Sequence, residues 1–226
     1  MFTGIVQAKV QVSAIQPNPF GIRLVVDCTR WSPPENYRPG HGDSICISGV
    51  CLTVTDVTEK TLAFDIIAET LAKTTLGDLL AGSFVNIEPS VTPTQPMGGH
   101  FLQGHVEGVG TVTEVYSGED EWRITIKPPA ELMDYIIPKG SIAVDGVSMT
   151  LAAVTTDTFQ LALIPTTLEL TTLGEAKPGN RINIETDIIS RTIVNYLQNM
   201  RSTRQVGTTS SETTTMELLG EAGFLE

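Results

Sequence analysis

The chain has 226 residues, 41% of them hydrophobic, with 14 Lys and Arg against 26 Asp and Glu, a formal net charge of −12. That length supports two cores of roughly 90–100 residues each, and an acidic chain with no cluster of cations excludes a nucleic-acid backbone or an anionic membrane as natural partner. Three cysteines, no basic-then-apolar leader and no apolar run of about 18 residues fit a reducing cytoplasm rather than export or membrane insertion.

From the N-terminus, the runs IRLVVDC (22–28), SICISGV (44–50), LAFDII (62–67) and FVNIE (84–88) alternate β-branched and polar residues and read as strands. The segment TLAKTTLG (70–77), opened by Thr and followed by Gly, reads as a helix-like turn that plugs one end of a barrel. The Pro- and Gly-rich stretch PSVTPTQPMGG (89–99) marks a boundary. Beyond it the series recurs as WRITIKP (122–128), SIAVDGV (141–147), FQLALIP (159–165), TLELTTLG (167–174) and RINIE (181–185).

Residues 44–88 align with 141–185 at a constant offset of 97 without a gap, identical at 19 of 45 positions, and FTGIVQA (2–8) resembles LQGHVEG (102–108) at an offset of 100. A period of that size is a whole small domain with its own core, so two similar cavities and two similar ligands are expected. Each half offers about six short strands, and closure into an antiparallel barrel removes exposed edges. The expected organisation is all-β: an N-terminal barrel over 1–97, a second over 98–188, a helix over 189–201 and a mobile acidic tail over 202–226. In that helix Ile189, Ile193, Tyr196, Leu197 and Met200 form one apolar face, which a homo-oligomer would bury. The tail, rich in Ser, Thr and Glu, has little to fold around.

No metal site is readable: His100 and His105 are five apart in a segment that reads as extended, and His41 is distant. Neither a nucleophile elbow nor a phosphate-cradling loop occurs. What recurs is a small polar set on apolar strands: Ser44, Cys51, Thr53 and Thr70, matched by Ser141, Ser148, Thr150 and Thr167. Such groups can line a cavity and hydrogen-bond a flat polar heterocycle, although Thr and Ser also simply suit strands. The copies differ at Ser48/Asp145, Cys51/Ser148 and Ser90/Asp187. Near-symmetry with a chemical bias suits an enzyme that binds one molecule twice, once as donor and once as acceptor; Asp145 and Asp187 also fit as turn and helix caps.

The opening MFTGIV, the segment GGHFLQGHV (98–106), both G-V-[CS]-[LM]-T strands and both TTLG turns resemble the alpha-chain type of riboflavin synthase over residues 1 to about 200. The resemblance implies two tandem six-stranded antiparallel Greek-key β-barrels, a C-terminal oligomerisation helix that gathers three chains, and no cofactor or metal. It implies a dismutation in which one 6,7-dimethyl-8-ribityllumazine gives a four-carbon unit to another, yielding riboflavin and 5-amino-6-ribitylamino-uracil between barrels of neighbouring chains.

Carried onto this sequence, the resemblance lays the first lumazine along Gly4, Ile5 and Val6, the strand Cys51, Leu52, Thr53, and the strand end Asp65, Ile66, Ile67, Ala68, Glu69, Thr70. The second lies along Gly104, His105 and Val106, with Lys139, then Ser148, Met149, Thr150, and Leu163, Ile164, Pro165, Thr166, Thr167, Leu168. For the chemistry it implies Ser148, Thr150, Asp187 and His105 in the second barrel, with Cys51 and Ser44 approaching from the first. The stretch VQAKVQV (6–12) lacks the glycine pair often seen after the family's opening, and Val50 precedes Cys51, leaving a single thiol there. The competing expectation is a non-catalytic lumazine or flavin carrier on the same duplicated barrel. A flavin-dependent reductase would want a basic residue for a cofactor phosphate and a nicotinamide domain, and neither is readable.

Overall fold

The computed structural model describes residues 1–33, 37–118 and 121–207, the last seven as backbone alone. Among the described residues, twelve strands form two closed six-stranded antiparallel barrels. The first holds β1 (Ala8–Asn18), β2 (Gly21–Asp27), β3 (Ser44–Ile47), β4 (Val50–Val57), β5 (Thr61–Ile67) and β6 (Phe84–Pro89), in the spatial order β1-β2-β5-β4-β3-β6. The second holds β7 (Gly108–Ser117), β8 (Trp122–Lys127), β9 (Ser141–Val144), β10 (Val147–Val154), β11 (Phe159–Leu163) and β12 (Arg181–Thr186), in the matching order β7-β8-β11-β10-β9-β12. The two-barrel, all-β expectation holds.

The duplication extends to irregularities. The β1–β2 register shifts between Val12 and Ala14 and the β7–β8 register between Val112 and Glu114; β4 shifts between Val54 and Asp56, β10 between Leu151 and Ala153. Such bulges bend a strand enough to close a small barrel. Both β3–β4 and β9–β10 hairpins turn on two residues with positive φ, Ser48-Gly49 (44° and 86°) and Asp145-Gly146 (44° and 76°). That is the turn whose twist matches antiparallel strands, and Gly and Asp are suited to it.

Inward positions fill the barrels. Val10, Leu24, Ile45, Leu52, Phe64 and Ile87 pack in the first core, and Val112, Ile124, Ile142, Leu151, Phe159 and Ile184 in the second. The predicted plugs are confirmed with shifted bounds: helices α1 (Ala68–Lys73) and α2 (Pro165–Leu170) start earlier than expected, and each runs into a 3-10 turn, Thr75–Asp78 and Thr172–Glu175. The turns, capped by the Thr74 and Thr171 side chains, insert Leu76 and Leu173 into the two cores. Gly77 and Gly174 serve close approach rather than a left-handed cap: a Cβ there would lie 2.5 and 2.1 Å from the Leu71 and Leu168 carbonyl oxygens.

The C-terminal helix α3 runs Ile188–Gly207, past the expected end at 201, and Ile189, Ile193, Tyr196, Leu197 and Met200 are each 49–63% exposed in the single chain. The remainder of the expected tail, from 208, lies outside the described residues. Among the described residues, no helix is long and apolar enough to cross a membrane.

The barrels meet through two reciprocal asparagines. Asn86 in β6 donates through Nδ2 to the Asp145 carbonyl (2.9 Å) and accepts at Oδ1 from Thr172 N–H (2.8 Å). Asn183 in β12 donates to the Ser48 carbonyl (2.8 Å) and accepts from Thr75 N–H (2.8 Å). Each amide thus pairs backbone groups of the opposite barrel that docking would otherwise strand. A cleft of about 400 Å3 opens beside this junction, lined by Ser48, Asp145, the two 3-10 turns and Arg181.

Candidate functional site

Strand alternation decides where the polar set lies. In β4, Val50, Leu52 and Val54 are buried while Thr53 is exposed and Cys51 partly so; in β10, Val147 and Leu151 are buried while Thr150 is exposed and Ser148 partly so. Cys51, Thr53, Ser148 and Thr150 therefore stand on the outer faces of the barrels. Side chains fill both barrel interiors, as small barrels require, so the polar set borders the outer faces rather than the cores. Leu52, Ile66 and Leu163, expected along the ligand, are buried in the cores, and Met149 packs against the second. The outward neighbours on the adjoining strands, Ile67 and Ile164, are 52% and 63% exposed.

One correction concerns pairing. The segments before β1 and β7 leave their own barrels and cross to the other. Phe2 and Leu102, both fully buried, bridge antiparallel where they pass (2.8 and 3.1 Å). Gly4 accepts at its carbonyl from Ser148 N–H (2.8 Å), and Gly104 accepts from Cys51 N–H (2.8 Å). Val6 completes the core of the second barrel, and Val106 packs against that of the first. The grouping expected from resemblance, Gly4–Val6 with Cys51–Thr53, is exchanged: Gly4–Val6 joins Ser148–Thr150, and Gly104–Val106 joins Cys51–Thr53.

Glycine is required at both crossings. Gly4 and Gly104 have φ of 75° and 77°, and a Cβ on either would stand 2.6 Å from the Cβ of Ser148 or Cys51. Buried carboxylates brace the crossing backbone. Glu88 accepts from Thr3 N–H and hydroxyl (both 2.7 Å) and Gly4 N–H (2.9 Å). Glu185 accepts from the N–H groups of Gln103, Gly104 and His105 (2.6, 2.9 and 3.0 Å). Burial raises both carboxyls above the usual range, and these hydrogen bonds only partly offset it.

Two unlike faces result. On the first stand Cys51 and Thr53, with Ser44 opposite Thr53 in register, the outward Asp65 and Ile67 of β5, and the exposed His105 brought in by Gly104. His105, expected beside Ser148 and Asp187, therefore lies on the Cys51 face. Ala68, Glu69 and Thr70 form the first turn of α1, where Glu69 pairs with Lys73 at 2.7 Å. On the second stand Ser148 and Thr150, with Ile5 (51% exposed), Ile164, and Pro165, Thr166, Thr167 and Leu168 of α2. Lys139 is exposed in the turn before β9 with φ of 64° and donates through its backbone to the Leu151 carbonyl. Asp187 follows β12 and is partly buried.

His100, absent from the expected site, hydrogen-bonds Ser148 Oγ through Nδ1 at 2.7 Å. The segment expected to be extended holds only the isolated bridge at Leu102, so strand alternation does not govern its histidines. Burial lowers the His100 pKa, and the charge of Asp187 opposes that. Of the thiols, burial pushes Cys28 up to about 12 and Cys46 well above its usual value, leaving Cys51 as the thiol at the site. Asp145 lies in the β9–β10 turn, where its Oδ1 accepts from Asn183 N–H (2.8 Å). That is the capping alternative for Asp145.

The family described as the lumazine binding domain matches twice, over residues 3–90 and 103–187. The chain is 41% identical to riboflavin synthase of Mycobacterium tuberculosis (strain ATCC 25618 / H37Rv) over 84% of this chain and 95% of that protein. It is 33% identical to riboflavin synthase of Bacillus subtilis (strain 168) over 99% of this chain and all of that one. Among solved structures, LumP complexed with riboflavin superposes with a TM-score of 0.74 at 27% identity, covering 82% of this chain and 99% of that one.

Proposed function

The chain belongs to the riboflavin synthase family built on duplicated lumazine-binding domains, and from that premise we propose how it works. It converts two molecules of 6,7-dimethyl-8-ribityllumazine into riboflavin and 5-amino-6-ribitylamino-uracil by transfer of a four-carbon unit, as a transferase that needs no cofactor or metal. One lumazine lies on the Cys51 face and one on the Ser148 face. Proton loss from the C7 methyl of one and nucleophilic addition at C7 of the other call for small proton-carrying groups beside stacked rings. Holding the rings in contact supplies much of the rate through orientation.

The observation that carries this reading is the pair of crossed outer faces with unequal lining, Cys51 with the exposed His105 on one and Ser148, hydrogen-bonded by His100, on the other. Their exposed Ile5, Ile67 and Ile164 would leave a flat ring half in water on a single chain. A facing barrel from a neighbouring chain would cover the ring and bring the second substrate, and the apolar stripe of α3 is a means of gathering three chains. The proposed compartment is the cytoplasm, and the proposed domain limits are 1–97 and 98–188.

Purified protein given 6,7-dimethyl-8-ribityllumazine alone is expected to develop the absorbance of riboflavin. The likeness to LumP favours one alternative, a carrier; tight binding with an unchanged lumazine spectrum would establish it. Truncation after Ile188 is expected to give monomers of little activity. A fully active monomer by sedimentation and assay would remove the inter-chain site.

A further inference from the structure

Ser148 is held from two sides. Its backbone N–H donates to Gly4, and its hydroxyl oxygen lies 2.7 Å from His100 Nδ1. The chain reaches this position through Gly99, where a Cβ would lie 2.1 Å from the Thr3 carbonyl oxygen and 2.9 Å from Ser148 Oγ. No side chain fits there, so the imidazole of the next residue is the first group able to reach the hydroxyl. His100 N–H is itself fixed on the Thr3 carbonyl (3.2 Å). Its Nε2 is buried with no hydrogen-bond partner among the described residues. The histidine hydrogen bond at Ser148 has no counterpart at Cys51 among the described residues.

We propose that His100 is a positioning residue and proton relay behind Ser148. The inference rests on the function given above. The hydroxyl takes the proton leaving the C7 methyl of the lumazine on this face while its own proton passes to His100 Nδ1. The methyl C–H and the Ser148 O–H break, a new Ser148 O–H and an Nδ1–H form, and the electron pair stays on the heterocycle as its exomethylene anion. No oxidant or reductant is involved. The relay resets when Ser148 protonates the departing amine of the uracil product and recovers its proton from the imidazole.

Burial keeps the resting ring neutral near pH 7 and able to accept, and Asp187 is the charged group that favours the imidazolium once it forms. The buried carboxylates Glu88 and Glu185 are occupied by the crossing backbone.

The test compares the intact protein with H100Q, which retains a polar group near Ser148 but cannot carry the proton. H100Q is expected to lower kcat by about 10²-fold or more with KM within about threefold. It should abolish the acid limb of the kcat/KM profile that the unaltered protein shows below the ordinary histidine range. It should also slow enzyme-dependent deuterium exchange of the lumazine C7 methyl in D2O by a similar factor. Wild-type kcat in H100Q, or a loss of kcat with the acid limb and the exchange rate intact, overturns the relay. H100N, whose amide can occupy the place of Nδ1, serves if H100Q does not fold. Should the unaltered protein form no riboflavin, the functional reading falls, but exchange still judges the relay: catalysed by wild type and lost in H100Q, it stands, and otherwise it fails.

Discussion

Replacing Asn86 by Ala removes two hydrogen bonds between the barrels, to the Asp145 carbonyl (2.9 Å) and from Thr172 N–H (2.8 Å). Asn86 is 1% exposed, but its two partners are half-buried beside the cleft, so water relieves part of their loss. A stranded buried backbone group costs about 1–3 kcal/mol. Both Asp145 and Thr172 are only half-buried, which places the expected loss at about 2–3 kcal/mol. Asn183→Ala should cost the same by pseudo-symmetry, through the Ser48 carbonyl and Thr75 N–H. Urea denaturation is the assay. With the barrels docked, unfolding is expected as one transition; in the double variant it should split in two, each with roughly half the original m-value, because each step then exposes one core. An N86A protein whose midpoint corresponds to a loss below about 0.5 kcal/mol would refute the claim that these amides hold the barrels together.

Three further outcomes follow from the same contacts. Burial raises the Asp145 carboxyl to about 7 despite the Asn183 hydrogen bond, so the native state holds that proton more tightly than the unfolded chain, and the stability it confers is full below 3.8 and lost as pH rises through about 7. Asp145→Asn keeps an acceptor for Asn183 and should melt higher than wild type at pH 8, by the equivalent of about 1–3 kcal/mol; the gain should shrink at pH 4, and an equal difference at both pH values would sink the argument. Gly104→Ala forces a side chain onto Cys51 at positive φ, and should lower the melting temperature by several degrees while abolishing lumazine binding at the Cys51 face, checked by calorimetry and fluorescence titration. Leu173→Ala empties the plug of the second barrel and should cost about 2–5 kcal/mol in denaturant titration; a loss below about 1 kcal/mol would show that the turn merely rests on the barrel.

The duplicated phrases establish from sequence that each half is one barrel with its own core, because alternation in runs such as SICISGV and SIAVDGV sorts residues between two faces. The Ser-Gly and Asp-Gly turns and the TTLG plugs carry local chemistry that reads directly as hairpins and caps. The apolar stripe of α3 was equally readable from its spacing. What alternation reports is which side of a strand leaves water; it does not report what covers the other side. Strand β6 alternates apolar and polar residues in FVNIE, yet all but its first residue is buried, because Asn86 and Glu88 lie under the opposite barrel and the crossing N-terminal segment. Their identity with Asn183 and Glu185 was the available clue. The exchange of Gly4–Val6 and Gly104–Val106 between barrels is invisible to alternation, because backbone bonds at the glycines fix it and an apolar Val6 or Val106 would suit either core. The partnership of His100 with Ser148 spans 48 residues and depends on that crossing. Sequence thus determined the elements and the polar set, whereas tertiary structure alone decided which polar residues share a face, since that depends on how two finished barrels dock.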